Sequence, residues 1–161
     1  MNRTNIITGI IVCAIVALLV YLAFHIRPAS AATAWAFPFG KYEKVTLKNG
    51  VVTIPAAKID NKARYFKFSD GGKEINFFIV KASDGTIRTA FDACDACFKE
   101  KKGYEQQGDK MVCKNCNMRF ATNRIGPHAV GGCNPSYLPA QISATAVTIK
   151  ADDLRQGARY F

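Results

Sequence analysis

Two hydrophobic regimes divide the chain. Residues 6–24 run for 19 positions without a charge, whereas from residue 44 onward apolar side chains come in short alternating runs broken by turn residues. A 19-residue helix rises about 28 Å, enough to cross a hydrocarbon core of about 30 Å. The first regime therefore predicts one amino-terminal transmembrane helix, either an intact anchor or the apolar part of a signal peptide. Ala29-Ser30-Ala31 offers a small-residue cleavage signature, but the run is longer than most cleaved segments and Arg27-Pro28 intervenes, which favours an anchor. Cys13 inside this run reads as a small apolar helix residue.

The second regime has period two. Residues 45–47 and 51–54 flank Asn49-Gly50, a pair that supplies the positive φ angles of a tight type I′ turn and so predicts a hairpin. Strands are expected at 63–68, 74–81, 86–91, 110–113 and 144–149, with turns at Asp70-Gly71-Gly72 and Asp84-Gly85. Residues 152–160 predict a short terminal helix with Asp152 or Asp153 at its amino end. The expected fold is mainly β, a small antiparallel sandwich or barrel with a cysteine-rich metal-binding insert. The corresponding division is a membrane anchor or signal segment at 1–28, a tether at 29–40 and a β domain at 41–161 that carries a thiolate site within 91–135. Trp35, Phe37 and Phe39 in the tether suit either the membrane interface or the domain edge.

Charge changes this picture little. Of 161 residues, 22 are Lys or Arg and 12 are Asp or Glu. Arg3 and Arg27 precede the β domain, which therefore holds a balance of +8. The cations are spread along the domain, and only Lys99, Lys101 and Lys102 cluster, so no nucleic-acid partner is expected. No Ser/His/Asp set, nucleotide loop or interpretable carboxylate pair is visible, and an enzyme is the weaker reading.

Chemistry is concentrated in five cysteines, Cys94, Cys97, Cys113, Cys116 and Cys133, spaced C-x2-C-x15-C-x2-C-x16-C. Two C-x2-C knuckles at that separation can turn four thiolates onto one soft metal centre. Cys94, Cys97, Cys113 and Cys116 are the expected metal ligands, with Cys133 a fifth ligand or a neighbouring tuning sulfur. An odd cysteine number argues against a plain disulfide framework, and the βαβ context of a thioredoxin-like pair is missing. Zinc, copper and an iron–sulfur cluster all accept such ligands. Gly131 and Gly132 before Cys133 tilt the choice towards iron–sulfur, since glycines let backbone amides approach sulfur; His128 lies in the same loop and is a further candidate. His25 has no evident role.

FDACDACF at 91–98, GY at 103–104, MVCKNC at 111–116 and GGCNP at 131–135 together resemble the FtrD-like membrane iron–sulfur family. IPAAKIDNKARYFKF and FFIVKASDGTIRTAFD upstream, and DDLRQGARYF at the end, extend the resemblance over about residues 40–161. It implies a bacterial inner-membrane protein linked to ferrous-iron uptake, with an iron–sulfur centre that passes electrons or handles metal beside an iron permease or redox partner protein. Many members of that family carry the cysteine domain on a multi-span protein, whereas a single span here calls for a separate permease. A signal-like start favours a periplasmic or extracellular domain. An exported domain without a twin-arginine pair (residues 2–5 are NRTN) suits zinc, copper or disulfides better than iron–sulfur, and an internal one permits the cluster. The alternatives are a structural zinc or copper module without redox turnover and an assembling protein with an apolar amino-terminal helix.

Overall fold

Lys73–Lys81 reads KEINFFIVK, too continuously apolar for a strand with one wet face. The computed structural model, which describes Tyr21, residues 40–129 and residues 131–161, explains why: this strand is covered on both sides. Ile75, Phe77 and Ile79 enter one apolar cluster, while Phe78 and Val80 enter another. Alternation along a strand separates the two sets.

Among the described residues ten strands carry the domain: β1 (Glu43–Val45), β2 (Val51–Pro55), β3 (Arg64–Asp70), β4 (Lys73–Lys81), β5 (Ile87–Phe91), β6 (Tyr104–Gln107), β7 (Lys110–Cys113), β8 (Arg119–Ala121), β9 (Gln141–Ile142) and β10 (Ala146–Lys150). They form three open sheets: a central β1-β3-β4-β5, an outer β2-β10-β9, and a small β6-β7-β8. Helix α1 (Ala151–Gln156) and a 3-10 turn at Gly157–Tyr160 end the chain. The mainly β expectation holds, but no barrel closes. The pairing is mixed, because β1 lies parallel to β3 while β3, β4 and β5 are antiparallel.

The first cluster lies between the central sheet and the β2-β10 pair, with Val52, Ile54, Val147, Ile149 and Leu154 meeting Phe66, Phe77 and Phe91. The second joins the opposite face of the central sheet to β6 and β7 through Tyr104, Met111, Cys94, Cys113 and Cys133. The cysteines are thus part of a core as well as a site.

The expected hairpin at 45–54 is corrected in one respect. Asn49 and Gly50 have φ of 51° and 76°, and Lys48 and Val51 exchange both backbone hydrogen bonds, so the tight turn forms. Pairing stops there, because β1 joins β3 and β2 joins β10. The turn throws the chain from one sheet to the other, where Val52 and Ile54 find apolar partners that a local hairpin could not supply. At the other end, Lys150 occupies the cap position of α1 without a side-chain hydrogen bond, and Asp152 and Asp153 sit in the first turn, where the helix dipole favours carboxylates.

Residues 6–24 other than Tyr21, together with His25 and the tether as far as Phe39, lie outside the described residues. Among the described residues no helix is long and apolar enough to cross a membrane.

Candidate metal centre

β5 delivers the first knuckle. Its last residue, Phe91, is followed by Asp92 and Ala93, and Cys94 then starts a tight turn in which the Phe98 amide donates to the Cys94 carbonyl at 3.2 Å. The same turn aims the Cys97 amide at Cys94 Sγ, 3.2 Å away. β7 ends on Cys113 and delivers the second knuckle. There the Asn117 amide reaches the Cys113 carbonyl at 2.9 Å and the Cys113 amide reaches the Met118 carbonyl at 3.0 Å. Asn117, with φ 60°, closes the turn in a conformation that asparagine tolerates.

Cys133 arrives from a loop that runs alongside both. Ser136 exchanges backbone bonds with Phe91 and Ala93 at 2.8 and 2.9 Å, and the Gly132 carbonyl accepts from the Ala96 amide at 3.2 Å. Gly131 and Gly132 take φ of 81° and 62°, values that favour glycine, and so fold the loop onto the first knuckle. Among the described residues no amide of Gly131 or Gly132 donates to sulfur; the N–H···S bond comes from Cys97. His128 is exposed and outside the sulfur group.

All five thiols are free, and they converge. The Sγ atoms of Cys94, Cys97, Cys113 and Cys133 lie within 4.8 Å of one another. Cys116, exposed at the rim, has its Sγ 3.1 Å from that of Cys133, and Cys97 Sγ is 3.2 Å from Cys133. The compact set of four therefore contains Cys133, with Cys116 beside it. Sequence spacing favours the knuckle cysteines as a pair of pairs; the loop geometry instead makes Cys133 the sulfur that touches both knuckles.

The donor set suits a soft metal. Metal–sulfur bonds of about 2.3 Å place the corners of a tetrahedron about 3.8 Å apart, so sulfurs within 4.8 Å match a single thiolate-held ion. A cluster of several irons spreads its thiolates more widely. Two features leave room for that adjustment: the fifth sulfur, and a cavity of about 310 Å³ that touches Cys94, Cys97 and Cys113. Burial raises the thiol pKa of Cys133, with the Cys116 and Cys97 thiols adding to the effect. Burial likewise raises that of Cys94, opposed by the Tyr104 hydroxyl and by the Cys97 and Ala96 amides. Buried thiols are poor anions until a cation replaces their protons.

One polar network supports the site, and the spacing of the cysteines does not reveal it. Tyr104, fully buried, donates its hydroxyl to the Cys133 carbonyl and lies opposite Cys113 in the β6–β7 pair. Burial, followed by the Cys94 thiol, raises its phenol pKa well above the usual value. Its amide donates to Asp92 Oδ1 at 2.6 Å. Asp92 Oδ2 accepts from Lys41 Nζ at 2.5 Å and from the Tyr42 hydroxyl at 2.6 Å. Lys41 also reaches the Tyr104 carbonyl at 2.8 Å and lies 4.1 Å from the centroid of the Tyr65 ring. A charged residue between Phe91 and Ala93, at the end of an apolar strand, and the GY pair at 103–104 were the available signals for this network.

No curated protein and no solved structure matches the chain. A family model described as "Membrane iron-sulfur containing protein FtrD-like" matches residues 58–161, a stretch that takes in both knuckles, the Cys133 loop, Asp92 and Tyr104. A match over that much of the chain, on a fold that gathers five thiols, places this protein in the FtrD-like family.

Proposed function

We propose that the protein is a membrane-attached, iron-loaded thiolate protein that passes single electrons in the service of iron transport, without turning over an organic substrate. One observation carries the reading: of five unbridged thiols from two knuckles and a third loop, four lie within 4.8 Å of one another and the fifth is 3.1 Å from Cys133. The family description, which specifies iron–sulfur and membrane, favours iron over other soft metals. When bound, such a centre supplies one-electron chemistry whose potential responds to burial and to hydrogen bonds at sulfur.

The protein's own residues would set those terms. Cys94, Cys97, Cys113 and Cys133 would hold the metal, and Cys116 would ligate or lie against it at the exposed rim. The Cys97 amide would donate to Cys94 sulfur. Tyr104 would fix the Cys133 loop through its carbonyl. An iron permease or redox protein in the same membrane is the expected partner. A structural zinc or copper site is the second reading, favoured by four sulfurs gathered within 4.8 Å of one another, compact enough for a single ion.

Protein purified anaerobically from its native host separates the two. The leading reading expects stoichiometric iron and visible absorbance that bleaches with dithionite; acid-labile sulfide then distinguishes a cluster from a lone iron. A colourless preparation holding one zinc or copper per chain, with no iron, would refute it.

A further inference from the structure

The one basic cluster of the sequence falls beside the exposed edge of the sulfur group. Lys99, Lys101 and Lys102 follow the first knuckle, and Lys114 and Arg119 belong to the second; all five are exposed. Two contacts bind these segments into one surface. The Lys114 amide donates to the Gly103 carbonyl at 3.0 Å, and Lys102 Nζ donates to Asn115 Oδ1 at 3.1 Å.

None of the five cations forms an ion pair among the described residues, although Lys41, Arg64, Lys67, Arg88 and Arg155 elsewhere each have a carboxylate partner. Glu100 is the sole anion within the two segments. Charges of one sign held together and unpaired attract an opposite surface at a distance, raising encounter rates about 10- to 1000-fold at low salt.

Between Lys114 and Arg119 the second segment carries no charge. Cys116 and Met118 are exposed there, Met118 to 53 %, and Cys116 sulfur is 3.1 Å from Cys133. Gly131 and Gly132, which lead into Cys133, are exposed as well and have no side chain to hold a neighbour away. Unpaired cations beside an uncharged stretch, with a site sulfur at the surface, suit brief docking: charge guides and orients, and little area needs to be buried. A lipid surface would use the charge but has no use for a thiol at its centre.

We propose that this face, formed by residues 99–102 and 114–119, docks an acidic electron-transfer protein, and that electrons enter or leave through the Cys116 edge. The proposal rests on the electron-transfer reading above. Its test uses the full chain, metal-loaded, in nanodiscs of zwitterionic phosphatidylcholine. Flavodoxin hydroquinone, an acidic one-electron donor, is the probe. The patch variant is K99E/K101E/K102E. The control is K48E/K58E/K81E, equal in charge; Lys48 and Lys58 flank β2 in a sheet without cysteines, and Lys81 lies at the end of β4 away from the knuckles.

The expected result is an electron-transfer rate at least about tenfold lower in the patch variant, a small change in the control, and loss of the difference at high salt. Binding of flavodoxin, read separately by titration calorimetry, should weaken in parallel. Equal slowing of both variants overturns the proposal. A patch effect that appears only in nanodiscs of anionic phosphatidylglycerol overturns it as well, and assigns the face to lipid. If wild-type protein binds flavodoxin through this face and yet accepts no electron, the electron-transfer reading fails while the docking surface stands.

Discussion

Replacing Asp92 with Asn tests whether the buried network holds the site together. The carboxylate side chain is fully buried, against 32 % exposure for the Lys41 side chain, and it accepts three hydrogen bonds. Asparagine is nearly the same shape, so no cavity opens. Its oxygen can keep the Tyr104 amide, and the Tyr42 hydroxyl can rotate to accept from the new amide group. Lys41 has only donors and cannot adapt. It must leave, giving up a charge-assisted bond and its 2.8 Å contact to the Tyr104 carbonyl. Those losses amount to roughly 1.5–3 kcal/mol and about 1 kcal/mol respectively. Because Lys41 is partly exposed it recovers some hydration, and the expected net destabilisation is about 2–3 kcal/mol. Urea unfolding of metal-free wild-type and variant protein measures it. A second readout is specific to the site: with Tyr104 loosened, metal should pass to a chelator faster from the variant. A stability change under about 0.5 kcal/mol together with an unchanged release rate would refute the supporting role assigned to Asp92.

The remaining expectations follow from single contacts. Cys133→Ser should remove most of the bound metal while Cys116→Ser keeps most of it, because Cys133 belongs to the compact four and Cys116 lies at its rim; elemental analysis after anaerobic purification decides, and the reverse order would restore the four knuckle cysteines as ligands. Gly103→Ala places a methyl group 2.6 Å from an Asp92 oxygen at φ 66°, whereas Gly108→Ala meets open space at φ 61°. Both carry backbone strain, but the first should cost about 1–3 kcal/mol more in urea unfolding, and equal losses would contradict the close approach. Hydrogen bonds from the Thr86 hydroxyl and amide, and then from Arg88, lower the pKa of Asp84 from 3.8 to about 2. The ionised form is favoured in the fold, so its contribution is present above the unfolded pKa and disappears as pH falls through the folded one. The stability difference between wild-type and Asp84→Asn metal-free protein should therefore be constant above about pH 5 and shrink towards about pH 2; a gap independent of pH would contradict the assignment.

Strand positions were legible wherever burial is one-sided or turn chemistry is strong. Residues 63–68 read correctly because their alternation is a local property, and 86–91 because the Asp84-Gly85 turn bounds the run. The run of β4 reads as a strand but not as the middle layer of three, since a doubly buried strand loses the alternation that would reveal its faces. β6, β8 and β9 are only four, three and two residues long, too short for an alternating apolar run, and the sequence does not announce them. The parallel β1–β3 pair is equally invisible: Asn49-Gly50 dictates a reversal, and only the distant apolar faces of β3 and β10 decide which strand each arm of the turn joins.

The site divides in the same way. Cysteine spacing foretells two sulfur-bearing turns because a C-x2-C knuckle is folded by its own backbone. It cannot rank Cys116 against Cys133, since that depends on where a sixteen-residue connection returns, and the return is set by Ser136 pairing with Phe91 and Ala93 and by Ala96 meeting Gly132. Asp92 is a harder case. Its partners Lys41, Tyr42 and Tyr104 are 51, 50 and 12 residues away, so nothing local marks it as more than a charge at a strand end. Yet a carboxylate so deeply buried must be satisfied from several directions, and the groups that satisfy it stand immediately behind the thiols. It follows that the thiol geometry is carried partly by residues with no metal chemistry of their own. A variant such as Asp92→Asn should therefore alter metal retention while all five sulfurs remain in place.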